Sequence, residues 1–367
     1  MISKSLPEGG SETTSPSQTK SKRKSKEIDK QLKKDQAAFV ARNSNPLVLL
    51  LGTSDSGKTT LLKNFRMTFT TGFTLKERED FKYIALDNII DTMKMLISTC
   101  NEQNLFFTSP DITAAANHVS SFHRPTSALL SQTVTNDIKT LWKSSHIVNA
   151  IPYCSSIQDT ACGFIERIDE LNCLDYVLTD LDILQCRYKT TQISETMVTL
   201  NAESRLVGRF VDVSGMKTDR KHWLPFFDNA NAVIFVVAIS SFDQTLVEDS
   251  LVNRLTDALE LFDHICNHPL LEQSETLVFL NKKDLFKKKL LTRRLADYFP
   301  VFKGKNTHQD GITFFQQLFF KLSRSTKRGM IVHATTCTDL ASITLVLKSV
   351  VSNITKSNLT SMGMMGA

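Results

Sequence analysis

The apolar run LVLLL at 47 to 51 passes without a break into GTSDSGKTT at 52 to 60, and this junction restricts the fold more than any other stretch. A short apolar run ahead of a glycine reads as a buried strand, and the Lys-Thr-Thr-Leu-Leu that closes the segment reads as the start of a helix. G-x-x-x-x-G-K-[ST] between a strand and a helix is a phosphate cradle. Gly52 and Gly57 let the backbone wrap closely, and successive N–H groups, those of Asp55, Ser56, Gly57 and Thr60 among them, receive phosphate oxygens together with the helix N-terminus. Lys58 bridges the β and γ phosphates and the Thr59 hydroxyl ligates Mg²⁺. A chance Gly-Lys-Thr helix start leaves Lys58 aimed at nothing.

The same grammar repeats downstream. RFVDV at 209 to 213, AVIFVVAI at 232 to 239, TLVFL at 276 to 280 and MIVHA at 330 to 334 are short apolar runs, each followed by a polar loop and helical patterning. That alternation predicts an α/β fold with a mainly parallel sheet and helices on both faces. Ligands in such folds sit beyond the carboxyl ends of the strands. Between about 75 and 185 the grammar breaks: no strand pattern is evident, while Leu86, Ile89, Ile90, Met93, Leu96 and Ile97 recur at three- and four-residue spacing. This predicts an all-helical insertion.

Totals exclude several classes. No apolar run approaches the roughly 18 to 20 residues that a membrane-spanning helix needs. The start, MISKSLPEGGSETTSPSQTK, lacks a secretory pattern, and seven cysteines without CxxC pairs argue for reduced thiols in an intracellular chain. His264, Cys266 and His268 sit close in sequence, but in a helical pattern without further ligands they read as ordinary helix residues. The net charge of +6 is concentrated at 20 to 34, with eight Lys or Arg against two acids. This stretch is either a solvated helix face or a peripheral contact with anionic lipid; no nucleic-acid partner is expected. Residues 1 to 24 read as a disordered tail and 25 to 45 as a helix ended by Pro46.

NKKD at 281 to 284 follows the TLVFL run. An aspartate at Asp284 accepts two hydrogen bonds from guanine N1 and N2, an edge that adenine does not offer. The stem of Lys282 covers a base face, Lys283 lies between them, and Asn281 ties the loop to its neighbours. Alone the tetrapeptide is a turn as readily as a site; behind a phosphate loop it separates a guanine protein from an ATP-using kinase. TTCTD at 335 to 339 supplies either a further loop over the base, through the N–H of Cys337, or a helix cap by Thr338 or Asp339.

With these motifs in this order the chain resembles the α subunits of heterotrimeric G proteins from about Ser25 onward. The likeness includes S-K-x-I-D-x-x-L, the phosphate loop, D-I-L-Q-C-R-Y-K-T-T at 182 to 191, F-V-D-V-S-G at 210 to 215, R-K-x-W at 220 to 223, L-F-D-x-I-C-N at 261 to 267, F-L-N-K-K-D-L-F at 279 to 286 and Y-F-P-V-F-K-G at 298 to 304. It implies a Ras-like P-loop GTPase domain at 46–72 and 186–367, with a helical domain inserted at 73–185. It implies a GTP/GDP switch with Mg²⁺, a βγ dimer, a G-protein-coupled receptor that reads the C-terminal tail, and an effector that the sequence does not name. By the same resemblance Leu184, Gln185 and Cys186 flank the nucleotide, Arg187 is the arginine supplied in cis to the transferring phosphoryl group, and Thr190 is a second hydroxyl ligand of Mg²⁺. Asp212 holds the metal through water, Val213 and Ser214 lead to the Gly215 N–H that meets the γ-phosphate, and Asp159 and Thr160 reach the nucleotide from the helical domain.

The departures fall on hydrolysis and switching. Met216 stands where the family has the glutamine that orients the attacking water, and a thioether has no donor. Ser54 and Ser214 stand where the family has glycine. Slowed turnover is expected, with hydrolysis restored by Arg187 and a partner-supplied group as the alternative. A GTP-locked or nucleotide-free interaction module that signals without cycling is the second reading. Ile2 replaces the myristoylated glycine, and no cysteine precedes Cys100, so contact with the inner face of the plasma membrane is expected to rest on 20 to 34 and on partners.

Overall fold

The computed structural model describes residues 45–123, 129–154, 159–187, 193–201, 206–246, 249, 251–324 and 330–361. The tail and helix expected at 1–24 and 25–45, Thr190 and the last six residues lie outside that set, apart from Asn45.

The strands are β1 (Leu47–Leu51), β2 (Ser194–Asn201), β3 (Leu206–Asp212), β4 (Ala230–Ala238), β5 (Glu275–Asn281) and β6 (Met330–Ala334). They form one sheet in the order β2-β3-β1-β4-β5-β6. Every pairing is parallel except β2 with β3. Each central strand is buried on both faces, which is why its sequence is a continuous apolar run rather than an alternating one.

The register sets the site. Leu50 pairs with Asp212, and Ala238 with Asn281, so the loops that follow these strands emerge at one rim. β2 is the strand the apolar runs do not reveal. It is an edge strand in which Val198 is fully buried and Met197 is 43 % exposed, so only a weak alternation marks it.

Thirteen α-helices are described. α1 (Lys58–Phe69) leaves the phosphate loop. The stretch between β1 and β2 continues with α2 (Leu75–Glu102), α3 (Pro110–Ser121), α4 (Gln132–Trp142), α5 (Ser145–Ala150), α6 (Asp159–Glu166), α7 (Ile168–Leu171) and α8 (Asp180–Gln185). After β4 come α9 (Arg254–Cys266), α10 (Lys283–Lys289), α11 (Leu295–Tyr298), α12 (His308–Leu322) and α13 (Leu340–Ser361). One face of the sheet packs Phe235 against Phe262 of α9, and Phe262 against Phe319 of α12, with centroids 5.1 and 4.9 Å apart. The other packs Phe65 of α1 on Phe210 at 4.4 Å, with Leu347 and Val350 of α13.

Helices α2 to α8 bury a core of their own. The α2 residues read at helical spacing, Leu86, Ile89, Ile90, Met93, Leu96 and Ile97, all lie in it beside Ile138, Leu141 and Phe164. A capping box of Thr74 and Glu77 starts α2. Lys63 of α1 reaches across to the end of α8, donating to Ile183 O at 2.8 Å and Cys186 O at 2.9 Å. Burial lowers its pKa to about 8. No described helix is long and apolar enough to cross a membrane.

Candidate functional site

A cleft of about 460 Å³ opens at the carboxyl rim of the sheet, lined by the phosphate loop, the loop after β3, the ends of β5 and β6, and the 184–187 linker. Local backbone geometry explains the phosphate loop. Gly57 precedes α1 at φ +103°, a conformation that strains other residues, and a Cβ there would stand 2.2 Å from Asn281 Nδ2. That amide donates to Ser56 O at 2.8 Å, while Asn281 Oδ1 accepts the Cys337 N–H at 3.0 Å. One asparagine therefore stitches three loops together.

The Cys337 N–H, expected over the base, has a partner within the protein. The N–H assigned to the base is already given to Asn281, because an asparagine carbonyl buried at that depth needs a donor. The thiol of Cys337 is itself buried, which pushes its pKa up to about 12. What this loop presents to the cleft beside it is Thr336 and Thr338. Thr336 Oγ1 donates to Asp284 Oδ1 at 3.0 Å. Asp339 caps α13, accepting the Ser342 N–H at 3.2 Å.

Lys58 lies on the cleft wall, only 6 % exposed, with Nζ donating to Gly52 O at 3.0 Å and Thr53 O at 2.9 Å. Burial lowers its pKa to about 8, against the pull of the Asp212 and Asp55 carboxylates. Thr59 Oγ1 donates to Asp212 Oδ2 at 2.6 Å. Burial raises the Asp212 pKa, with Lys58 and Thr59 working the other way. Asp212 Oδ1 and Ser56 Oγ are buried with no partner among the described residues. Two orphaned oxygens beside a buried lysine are what a phosphate–Mg²⁺ group would satisfy, and a hydroxyl and a carboxylate are suitable hard donors for Mg²⁺.

Gly215 rides directly on the phosphate loop: a Cβ there would meet Ser54 N and Thr53 C at 2.5 Å. Ser214 takes an ordinary negative φ, so the missing glycine causes no backbone strain in this conformation. Its hydroxyl donates to Asp219 Oδ2 at 2.6 Å and its carbonyl accepts the Trp223 Nε1–H at 3.1 Å. Met216 is half-buried on the cleft wall beside Lys217 and Arg220. Arg220 pairs with the buried Asp257 at 2.5 Å.

At the other lip, burial disfavours ionisation of Asp55, but Lys282, Arg187 and Arg254 outweigh it and hold its carboxyl below the usual value. Lys282 takes a left-handed conformation and lies 3.3 Å from Asp55 through Nζ. Arg187 is exposed on the wall next to Leu184, Gln185 and Cys186, with Thr60 and Asp284 also lining the cleft. Gly52, Asp212 and Val213 lie behind the wall. Lys283 is not on it; its N–H donates to Thr335 O at 3.1 Å. Asp159 and Thr160 open α6, and their side chains, like all of Thr190, lie outside what the structure describes.

Sequence motifs did not mark Lys63, Arg254 or Leu246, which line the cleft from helices and a loop without a signature. Arg254 Nη2 donates to Ser54 O at 2.8 Å across 200 residues. His268 caps the 3-10 turn Pro269–Leu271 and Cys266 is buried; among the described residues no group of three His, Cys, Asp or Glu side chains is arranged to hold a metal.

A mainly parallel sheet, a glycine-flanked loop entering α1 and a lysine at the cleft define a P-loop nucleotide-binding architecture. The family model for the G-protein alpha subunit matches residues 22–354. The chain is 33 % identical over 353 residues to the guanine nucleotide-binding protein alpha-7 subunits of Caenorhabditis briggsae and Caenorhabditis elegans, covering 96 % of this chain and 99 % of each relative. It is 33 % identical over 344 residues to a guanine nucleotide-binding protein subunit alpha of Cochliobolus heterostrophus, covering 92 % of this chain and 95 % of that one. The chain belongs to the G-protein alpha subunit family. Members are GTPases that bind GTP and GDP with Mg²⁺, and GTP hydrolysis is the activity the chain inherits. The family's general partners are a βγ dimer and a receptor.

Proposed function

We propose that the cleft holds guanine nucleotide in a switch that transduces receptor signals to an effector, with turnover much slower than the family chemistry allows. The observation that carries nucleotide binding is Lys58 on the cleft wall, with the orphaned oxygens of Ser56 and Asp212 buried beside it. In this reading the phosphate loop, Lys58 and Thr59 bind the phosphates, Asp284 and Lys282 select the base, and Asn281 acts only by holding their loops. Mg²⁺, when bound, neutralises charge on the phosphate oxygens; Thr59, Thr190 and Asp212, the last through water, are its proposed holders. Arg187 faces the transferring group, Gly215 senses it, and Met216 fails to steer water. We place the GTPase domain at 46–72 and 186–367 and the helical domain at 73–185. The C-terminal tail meets the receptor, and 20–34 touches the inner face of the plasma membrane.

Calorimetry tests the binding. GDP and a non-cleavable GTP mimic are expected to bind in magnesium buffer and ATP to compete poorly; no heat with either guanine nucleotide, or equal competition by ATP, sinks the reading. The pKa of Lys58 adds a pH signature. The free amine titrates near 8, and bound phosphate raises that value, so binding takes up a proton above it. Affinity for GDP is expected to be level below about pH 8 and to fall by up to about tenfold from pH 8 to 9. An affinity that rises over that unit contradicts the assignment.

Met216 on the cleft wall also favours a second reading, a module that holds GTP, or nothing, and signals without cycling. Nucleotide extracted from freshly purified protein separates the two: mostly GDP for a cycling protein, GTP or none for the module.

A further inference from the structure

Arg187 is exposed and follows the last turn of α8. Two bonds from a residue 99 positions earlier hold it. Asn88 Nδ2 donates to Arg187 O at 2.9 Å, and the Arg187 N–H donates to Asn88 Oδ1 at 2.6 Å. A side-chain amide that takes both the N–H and the C=O of one residue fixes where its Cα lies and which way its peptide planes turn. Asn88 itself cannot drift: Ala85, Leu86, Ile89 and Ile90 on the same helix are buried in the insertion's core. The preceding carbonyl, of Cys186, is held by Lys63.

We propose that Asn88 is a positioning residue for the reaction, which delivers Arg187 from the helical insertion to the phosphoryl end of the cleft by clamping its backbone; this rests on the role given to Arg187 above. Asp55 on the phosphate loop and Asp91, one turn after Asn88 on α2, both lie in the electrostatic field of the Arg187 guanidinium. With the backbone pinned, the side chain stays within reach of these carboxylates and the cleft. Loss of the clamp leaves nucleotide contacts untouched, because Asn88 is not on the cleft wall, but lets the guanidinium wander.

The test uses the full chain with Met216→Gln as parent, so that the chemical step has its water-orienting group. Single-turnover GTP hydrolysis and affinity for GDP with and without aluminium fluoride, a mimic of the transferring phosphoryl group, are measured for the parent, Asn88→Ala, Asn88→Asp, Arg187→Ala and the Asn88→Ala/Arg187→Ala double variant. Asn88→Ala is expected to slow hydrolysis by about 10- to 100-fold and to weaken the fluoride-dependent tightening, with GDP affinity within about threefold of the parent. Asn88→Asp, which keeps one of the two bonds, falls between. The double variant is no slower than Arg187→Ala alone, since both act through one group. Hydrolysis by Asn88→Ala at the parental rate overturns the proposal, as do losses that multiply in the double variant. A parent that binds GDP but shows neither hydrolysis nor tightening overturns it too. A parent that binds no guanine nucleotide removes the function proposed above, and this inference with it.

Discussion

Exchange of Met216 for glutamine is expected to raise single-turnover GTP hydrolysis by about 10²-fold, the scale on which a lost positioning group is felt. Met216 begins the 3-10 segment Lys217–Phe226 in an extended conformation and lines the cleft next to Gly215, which touches the phosphate loop. Methionine and glutamine have side chains of similar length, so the replacement fits the same space. They differ in what they offer a water molecule: the thioether is a weak acceptor, whereas the amide both accepts and donates. The surrounding frame is already in place, with Trp223 bonded to Ser214 O and Arg220 paired with Asp257. Phosphate release from GTP-loaded protein reads the change. An unchanged rate would locate the brake elsewhere, with Ser54 and the Ser214–Asp219 bond as the remaining departures in contact with that region.

Lys58→Met is expected to weaken GDP and GTP binding by about 10²- to 10³-fold, in line with the roughly 2–5 kcal/mol lost when one partner of a buried, hydrogen-bonded charge pair is truncated. The effect is large because the site is nearly closed around that amine. Lys58 Nζ has two loop carbonyls as partners, and the neighbouring Asp212 and Asp55 carboxylates are the charges that favour its protonated form. The substitution keeps the apolar stem, and the fold is expected to survive because Lys58 sits at the first residue of α1, outside the apolar cores. Titration by calorimetry with a thermal midpoint on the same sample checks both halves. Wild-type affinity in a folded Lys58→Met protein would show that the cleft grips nucleotide by other means.

Much of this is legible in the amino-acid sequence alone. Continuous apolar runs marked five of six strands: β1, β3, β4 and β5 are covered on both faces, while β6 is a partly buried edge strand that keeps an apolar sequence, and α2 announced itself because its buried positions recur with the helical period. The motif loops were legible for a different reason: a backbone that wraps phosphate needs glycine at Gly57, and only a few residue types serve at the positions that follow. β2 escaped because an edge strand with one covered face leaves almost no pattern. The Asn281 partner of the Cys337 N–H was not legible, because which acceptor captures a backbone N–H depends on how deep the neighbouring side chain sits, and Asn281 is 56 residues away in the chain.

By itself the amino-acid order determined the layered α/β architecture, the helical insertion and the chemistry of the phosphate loop, all of which follow from local periodicity and local backbone demands. Only the tertiary structure decided that Asn88 holds Arg187, that Lys63 ties α1 to the end of α8, that Arg254 reaches Ser54, and that Asp212 and Ser56 are left with oxygens to satisfy. These are contacts between residues about 100 to 200 positions apart, or the lack of one at a buried atom. Their partners are chosen by how distant helices and loops pack together, which the local pattern of neighbouring residues does not encode.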